Sequence, residues 1–316
     1  MASPDVITMG RVGVDLYPEQ VGATLADVRT FAKSLGGSPS NVAVAAARLG
    51  RRAAVITKVG DDGFGTYVRR ALDGFGVDTR WVGTDPTLRT PLVFAELFPP
   101  DRFPLTFYRA PKAPDMNIAK DDLDLDAIAA APVFWTSGTG LSEEPSREAT
   151  LAALGARKRR DITIHDLDHR PQFWRNTDDA RRWARAAVQL ATVVLGNVDE
   201  VEVATGTRDH AEGAQQLLAL GVRLAIVKRG HEGAYARTVT DEVAVPPFEI
   251  EVVNGLGAGD AFGGALCHGL LAGWDLRRVL EVANAAGAIV ASRLACADAM
   301  PTMDEIEALI GRKVAM

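Results

Sequence analysis

Short apolar runs alternate along this chain with longer stretches of helical spacing, and that alternation limits what it can become. The runs lie at 6–9, 53–58, 133–136, 162–165, 192–195 and 224–228, and the helix-like stretches at 41–49, 64–75, 144–160, 179–189 and 210–220. Strands separated by helices predict an α/β fold with a mostly parallel sheet covered on both faces. In such sheets ligands bind beyond the carboxyl ends of the strands, so the residues following each run are the ones to examine. No repeat, low-complexity tract or linker divides the 316 residues, which predicts a single domain.

Two segments interrupt the pattern. Residues 12–34 are polar and read as irregular, and 92–98 and 105–109 read as two alternating strands around Pro99-Pro100-Asp101. Together, about 12–34 and 91–110 are expected to form a small β lid, and a homodimer, where one forms, is expected to join through it. The basic run 157–160 reads as a solvated last turn of a helix, favoured there by the helix dipole.

Composition narrows the function. With 47% hydrophobic and 24% charged residues, a chain of this length buries a core large enough to need no staples. Its two cysteines, Cys267 and Cys296, sit among Ala, Gly and Leu and predict buried thiols in a reducing cytoplasm, with no zinc spacing. The start Met-Ala-Ser-Pro-Asp has no basic region followed by an apolar core, and no stretch approaches the roughly 18 apolar residues of a membrane span. The expectation is a cytoplasmic protein with no membrane partner. A net charge of −6 argues against nucleic acid as a partner.

The most specific motif is Gly257-Ala258-Gly259-Asp260, after a strand-like run at 248–253 and before a Gly/Ala-rich helix. Glycines there let the backbone approach an anion, and the free N–H groups and dipole of a helix start favour phosphate. The amides of Gly257, Ala258 and Gly259 can stabilise a transferring phosphoryl group while Asp260 takes a proton from an attacking hydroxyl. Taken alone, Asp260 reads equally well as a helix cap. Asn197 and Glu200 follow another strand and supply oxygens suited, through water, to Mg²⁺ on a nucleotide; the same pair also reads as a capping box. Lys228, Gly230 and Gly233 follow a third strand, where ATP can lie against the loop, or where the chain simply turns a hairpin. No G-x-x-x-x-G-K-[ST] occurs, so this is not a P-loop protein.

Candidate substrate residues come earlier. Asp15 follows the first strand and can accept hydrogen bonds from sugar hydroxyls. Gly36 and Gly37 allow close approach to a ligand, and Asn41 offers a donor and an acceptor. Arg170, in the charged block 165–170 after a strand, suits a carboxylate, with Arg109 on the lid and Lys33 as further candidates.

In order along the chain, an early Asp, G-G-x-x-x-N-x-A, N-x-x-E and G-A-G-D resemble the ribokinase-like (PfkB) sugar kinases over nearly the whole length. The resemblance implies a ribokinase-like three-layer α/β/α sandwich with a β-strand lid, ATP and Mg²⁺ as cofactors, and Asp260 as base beside an anion hole at Gly257, Ala258 and Gly259. It also implies an adenine pocket near Asn284. Phe107-Tyr108-Arg109 followed by Ala113-Pro114-Asp115, and Asp166-x-Asp168-x-Arg170-Pro171-x-x-Trp174, are similar to the family branch that phosphorylates the C6 hydroxyl of a sugar acid; ketodeoxy-sugar-acid kinases and fructokinases are the near alternatives. Where the family usually has Asp-Thr, a contributor to a monovalent-cation site, this chain has Asn254-Gly255, which leaves a K⁺ requirement open. Two other classes compete: a non-catalytic nucleotide or sugar sensor, against which Asp260 argues, and a dinucleotide oxidoreductase, against which the missing third glycine after the first strand argues.

Overall fold

The apolar runs are strands because both of their faces are buried. In this computed structural model, which describes residues 3–160 and 162–314, the strands are β1 (Val6–Met9), β2 (Gly13–Pro18), β3 (Phe31–Gly36), β4 (Ala53–Gly60), β5 (Val82–Asp85), β6 (Leu92–Ala95), β7 (Leu105–Tyr108), β8 (Val133–Ser137), β9 (Ile162–Asp166), β10 (Val193–Asn197), β11 (Leu224–Lys228), β12 (Ala234–Arg237) and β13 (Glu242–Val245). The first two residues of the segment read for a leader lie outside the described range. The helices are α1 (Ser38–Arg48), α2 (Gly63–Gly74), α3 (Leu125–Ala130), α4 (Ser146–Ala156), α5 (Thr177–Val188), α6 (Val198–Thr205), α7 (His210–Ala219), α8 (Ala258–Leu271), α9 (Leu276–Ala291) and α10 (Met303–Val314).

Nine strands form the main sheet in the order β13-β12-β11-β10-β9-β8-β1-β4-β5, parallel from β11 to β5 with an antiparallel hairpin at the β12–β13 edge. Val6 and Trp135 pack on one face with Val42 and Ala45 of α1, Phe262 and Ala265 of α8 and Val282 of α9. Ile7, Met9 and Phe134 pack on the other with Ala149 and Ala153 of α4, while Val194 and Val227 meet Ala184 of α5 and Leu217 of α7. Burial on both faces explains why these strands read as continuous apolar runs. From β1 the chain first builds one half of the sheet through β4, then the other through β8. The direction reverses between β1 and β8, which is where a crevice opens at the carboxyl ends.

On the first face α1 and α8 are drawn together by missing side chains. A Cβ on Gly264 would overlap Ala45, and one on Gly263 would stand 2.6 Å from Trp135. This close crossing fixes Asn41 of α1 against Asp260 of α8. Gly264→Val is therefore expected to cost about 1–3 kcal/mol by overpacking and to lower turnover further by parting those two residues. Thermal melts and steady-state rates on the same sample check this; unchanged turnover would show that the crossing does not set the site.

A second sheet, in the order β3-β2-β6-β7, stands apart. Residues 12–34, expected to be irregular, contain two paired strands, with Asp15 opposite Ser34. The polar look arose because Asp15 and Ser34 share one face while Leu16 and Lys33 share the other. Conversely, 248–253 is not a strand: Pro246 and Pro247 precede it, and Val253 and Asn254 donate their N–H groups to Ala291 O at the end of α9 rather than to a neighbouring strand. The loop after Lys228 is a hairpin connection, with Arg229 N–H donating to Gly233 O (2.8 Å).

The basic run 157–160 is the largest correction. Arg157 is fully buried beyond the end of α4, donating to Ile128 O (2.9 Å) and Ala129 O (3.1 Å), to Ala131 O, and from Nε to Thr163 Oγ1 (3.1 Å). It serves as a tie between the segments that enter β8 and β9.

Candidate active site

Five strand ends and the start of α8 converge on one crevice. Gly257 precedes α8 with φ 82°, and a Cβ there would stand 2.6 Å from Cys296 Sγ, so this position takes glycine on both counts. Among the described residues the N–H groups of Ala258 and Gly259 have no protein acceptor, as expected of a first helical turn. The Asp260 N–H, by contrast, bonds back to Gly257 O (3.0 Å). Lys228 Nζ lies 3.4 Å from where a Cβ of Gly259 would be, placing an ammonium beside the free amides. Such a corner has the donors and charge to take an anion.

Asp260 borders that corner. Its Oδ2 accepts from Asn41 Nδ2 (2.8 Å), and burial pushes its pKa above the ordinary carboxylate value, with Asn41 and Ser38 pulling the other way. A helix cap would turn its carboxylate onto the N–H groups of its own turn; here the carboxylate is held across the helix pair. Asn41 Oδ1 is buried with no protein partner. The structure thus brings Asp260, Asn41, Gly257, Ala258, Gly259 and Lys228 together.

The carboxylates after β9 divide the basic groups between them. Asp166 lies 3.4 Å from Lys228 Nζ, and burial raises it to about 7 against the opposing pull of Lys228. Asp168 has a strained φ of 28°, accepts from Thr139 Oγ1 (3.0 Å), and faces Arg170 Nη2 (3.1 Å) and Arg11 Nη2 (3.8 Å). Burial alone would raise Asp168, but Arg170, Arg11 and Thr139 outweigh it and hold it low. Asp15, on the inner face of β2, accepts from Tyr17 Oη (3.0 Å), and burial raises it to about 6 against Arg11 and Tyr17.

Other expected residues are placed differently. Gly36 and Gly37 do leave room, but for the protein itself: a Cβ on Gly36 would overlap the Asp15 carboxylate and one on Gly37 the Arg11 carbonyl. Lys33 is exposed, on the opposite face of the small sheet from Asp15, with Nζ 3.8 Å from the Tyr67 ring centroid. Arg109 is ion-paired through both terminal nitrogens with buried Asp115, which also accepts from Val12 N–H (3.1 Å). Asn197 and Glu200 form a full capping box, Asn197 Oδ1 accepting from Glu200 N–H (2.9 Å) and Glu200 Oε2 from Asn197 N–H (2.7 Å). Gly230 faces open space, whereas Gly233, at φ 85°, abuts the Val245 carbonyl. Asn284 donates to Pro246 O (2.9 Å), tying α9 to the segment after β13. Cys296, expected in apolar surroundings, has Sγ 2.6 Å from Tyr17 Oη. Arg11 and Tyr17 escaped the sequence reading; the one signal for Arg11 was its position just beyond the end of β1, and Tyr17 lies within β2, two residues after Asp15.

For Mg²⁺ the fit is partial. Among the described residues no cluster of three or more His, Cys, Asp or Glu side chains could hold a metal ion. Asn254, which stands where the resembled family usually has Asp, spends both ends of its amide: Nδ2 donates to Leu294 O (2.6 Å) and Oδ1 accepts from Leu256 N–H (3.0 Å).

The family profile described as pfkB family carbohydrate kinase matches residues 3–303. The chain belongs to the pfkB family. A pfkB relative named 5-dehydro-2-deoxygluconokinase, from Geobacillus kaustophilus, is 33% identical over 313 residues, covering 97% of this chain and 93% of the relative. A fructokinase from Xylella fastidiosa solved with bound ATP superposes with a TM-score of 0.86 at 26% identity, covering 98% of this chain and 99% of the other. A fructokinase double mutant from Vibrio cholerae, solved with fructose, ADP and potassium ion, gives a TM-score of 0.84 at 26% identity, covering 98% and 99%. This pfkB chain is therefore a ribokinase-like sugar kinase, a phosphotransferase with a sugar hydroxyl as acceptor. The sensor and oxidoreductase readings end there. Among the described residues no helix is long and apolar enough to cross a membrane.

Proposed function

We propose that this kinase uses Mg·ATP to phosphorylate the C6 hydroxyl of 5-dehydro-2-deoxy-D-gluconate, a step of myo-inositol catabolism. One observation carries the catalytic part. The free amides of Ala258 and Gly259, Lys228 Nζ and the Asn41-held carboxylate of Asp260 lie together at the start of α8. Asp260 accepts the hydroxyl proton as that oxygen bonds to the γ-phosphorus, the bond to ADP breaks in line, and the amides and Lys228 take up the negative charge. Asn41 keeps the base turned toward the hydroxyl. Mg²⁺ bound with ATP would neutralise phosphate charge, and Glu200 Oε1, which the cap does not use and which faces Arg170 Nη1 at 3.6 Å, could accept from its water shell. The segments 12–34 and 91–110 act as a lid whose closure excludes water. Its outer face carries Phe31, Phe94 and the 63% exposed Tyr108, a surface on which a second copy would dock; sedimentation that finds only monomer would remove the dimer.

The sugar-acid preference rests on the guanidinium of Arg170, whose Nε is buried without a protein partner, and on the relative's name. The fructokinase likenesses favour a neutral sugar instead. ADP release with 5-dehydro-2-deoxy-D-gluconate, 2-dehydro-3-deoxy-D-gluconate and D-fructose decides among them: the first is expected to give the highest kcat/KM, and a preference for fructose overturns the reading.

The spent amide of Asn254 leaves no carboxylate for a monovalent cation, its Nδ2 donor tying the 254 loop to Leu294 without one. Replacing K⁺ by Na⁺ or choline at constant ionic strength is expected to change turnover less than about twofold; a large K⁺ stimulation would show that carbonyls alone build the cation site.

A further inference from the structure

Arg11 leaves the carboxyl end of β1, at the point where the sheet reverses its winding. Its side chain is only 10% exposed, yet it is under-used. Nη2 stands 3.8 Å from Asp168 Oδ2, the Phe107 ring of the small sheet lies 5.8 Å from the guanidinium carbon, and Nε is buried with no hydrogen-bond partner. A buried guanidinium N–H left unbonded is costly, so it asks for an acceptor that arrives from outside. Arg170 repeats the pattern on the other side of the same carboxylate: Nη2 is 3.1 Å from Asp168 Oδ1, Nη1 is 3.6 Å from Glu200 Oε1, and Nε is again buried and unpartnered.

Two guanidinium groups therefore flank Asp168, each with an unspent donor, beside the crevice that holds Asp15 and Asp260. The charge of Arg11 acts on both of those carboxylates. Arg109 differs: both its terminal nitrogens are consumed by Asp115. The strained backbone of Asp168 is the kind of local cost that persists where a site needs a group aimed in one direction. Planar forks with free N–H groups match a carboxylate better than a hydroxyl.

We propose that Arg11, set against Arg170 by the shared Asp168, binds the carboxylate of the substrate and determines the enzyme's preference for sugar acids over neutral sugars. This rests on the sugar-acid reading above. Phe107 then seals the ion pair from the lid side.

The test compares Arg11→Met and Arg11→Lys with the unaltered enzyme on 5-dehydro-2-deoxy-D-gluconate, 2-dehydro-3-deoxy-D-gluconate and D-fructose. Arg11→Met is expected to raise KM for the better acid roughly 10²-fold, the size of losing charged hydrogen bonds. The kcat and the KM for ATP should stay within about threefold. Arg11→Lys, which keeps the stem and the charge but loses the fork, should fall between and also covers the case in which the Met variant fails to fold. An acid KM within about threefold of the unaltered enzyme in both variants, or an equal loss on acid and fructose, overturns the role of Arg11 and leaves the sugar-acid reading standing. Preference for fructose in the unaltered enzyme overturns both.

Discussion

Asp260→Asn should lower turnover by roughly 10²–10⁴ while leaving the KM for ATP within a few-fold. The asymmetry follows from where the groups sit. The amides of Ala258 and Gly259 and the Lys228 ammonium belong to the backbone and to another strand, so they survive the substitution. What is lost is the acceptor for the hydroxyl proton, because a neutral amide oxygen binds that hydrogen but does not remove it. Steady-state ADP release at saturating sugar acid, with nucleotide affinity measured separately, reads both halves. Near-normal turnover would end the base assignment. The same side chain fixes the acid limb of the pH profile. Burial raises Asp260, so the active carboxylate form is lost as pH falls through a value above the 3.8 of an unperturbed aspartate. The limb in kcat should lie correspondingly high, and Asp15, raised to about 6, should appear with it in kcat/KM.

Arg157→Met should cost stability without touching chemistry. The arginine is wholly buried and donates to carbonyls of 128, 129 and 131 and to Thr163, at the entry to β8 and β9, the opposite end of the strands from the crevice. Methionine fills much of the volume but leaves those carbonyls without donors. A loss of about 3 kcal/mol or more follows from burying unpaired polar groups, and about 5 °C in Tm for a chain of this size. Turnover per folded molecule should not change. A Tm shift under about 2 °C would mean that water or neighbouring donors replace the guanidinium.

These two residues mark how far the sequence can be read. Asp260 was visible because phosphate chemistry makes a local demand: glycines, free amides and a carboxylate within four positions at a helix start. The central strands were visible for a similar reason, since a strand buried on both faces must be apolar throughout. Arg157 looked like a solvated basic turn because nothing within a few residues says that carbonyls from 25–30 positions upstream will close around it. The segment 12–34 looked irregular because its strand pairing sets polar site residues against apolar ones on alternate faces, and that logic is visible only in the paired register.

The sequence by itself determined the parallel sheet, the glycine-rich turn at 257–260 proposed to bind phosphate and the acid within it, because each is specified by neighbours in the chain. The tertiary structure alone decided which charges are spent and which are free. Asn41 meets Asp260 across 219 positions, Arg109 is consumed by Asp115, Lys33 leaves by the far face, and Arg11 stands open beside Asp168. The pairing of a charge depends on distances of a few ångströms between elements far apart in sequence, and only the packing of helices on the sheet sets those distances.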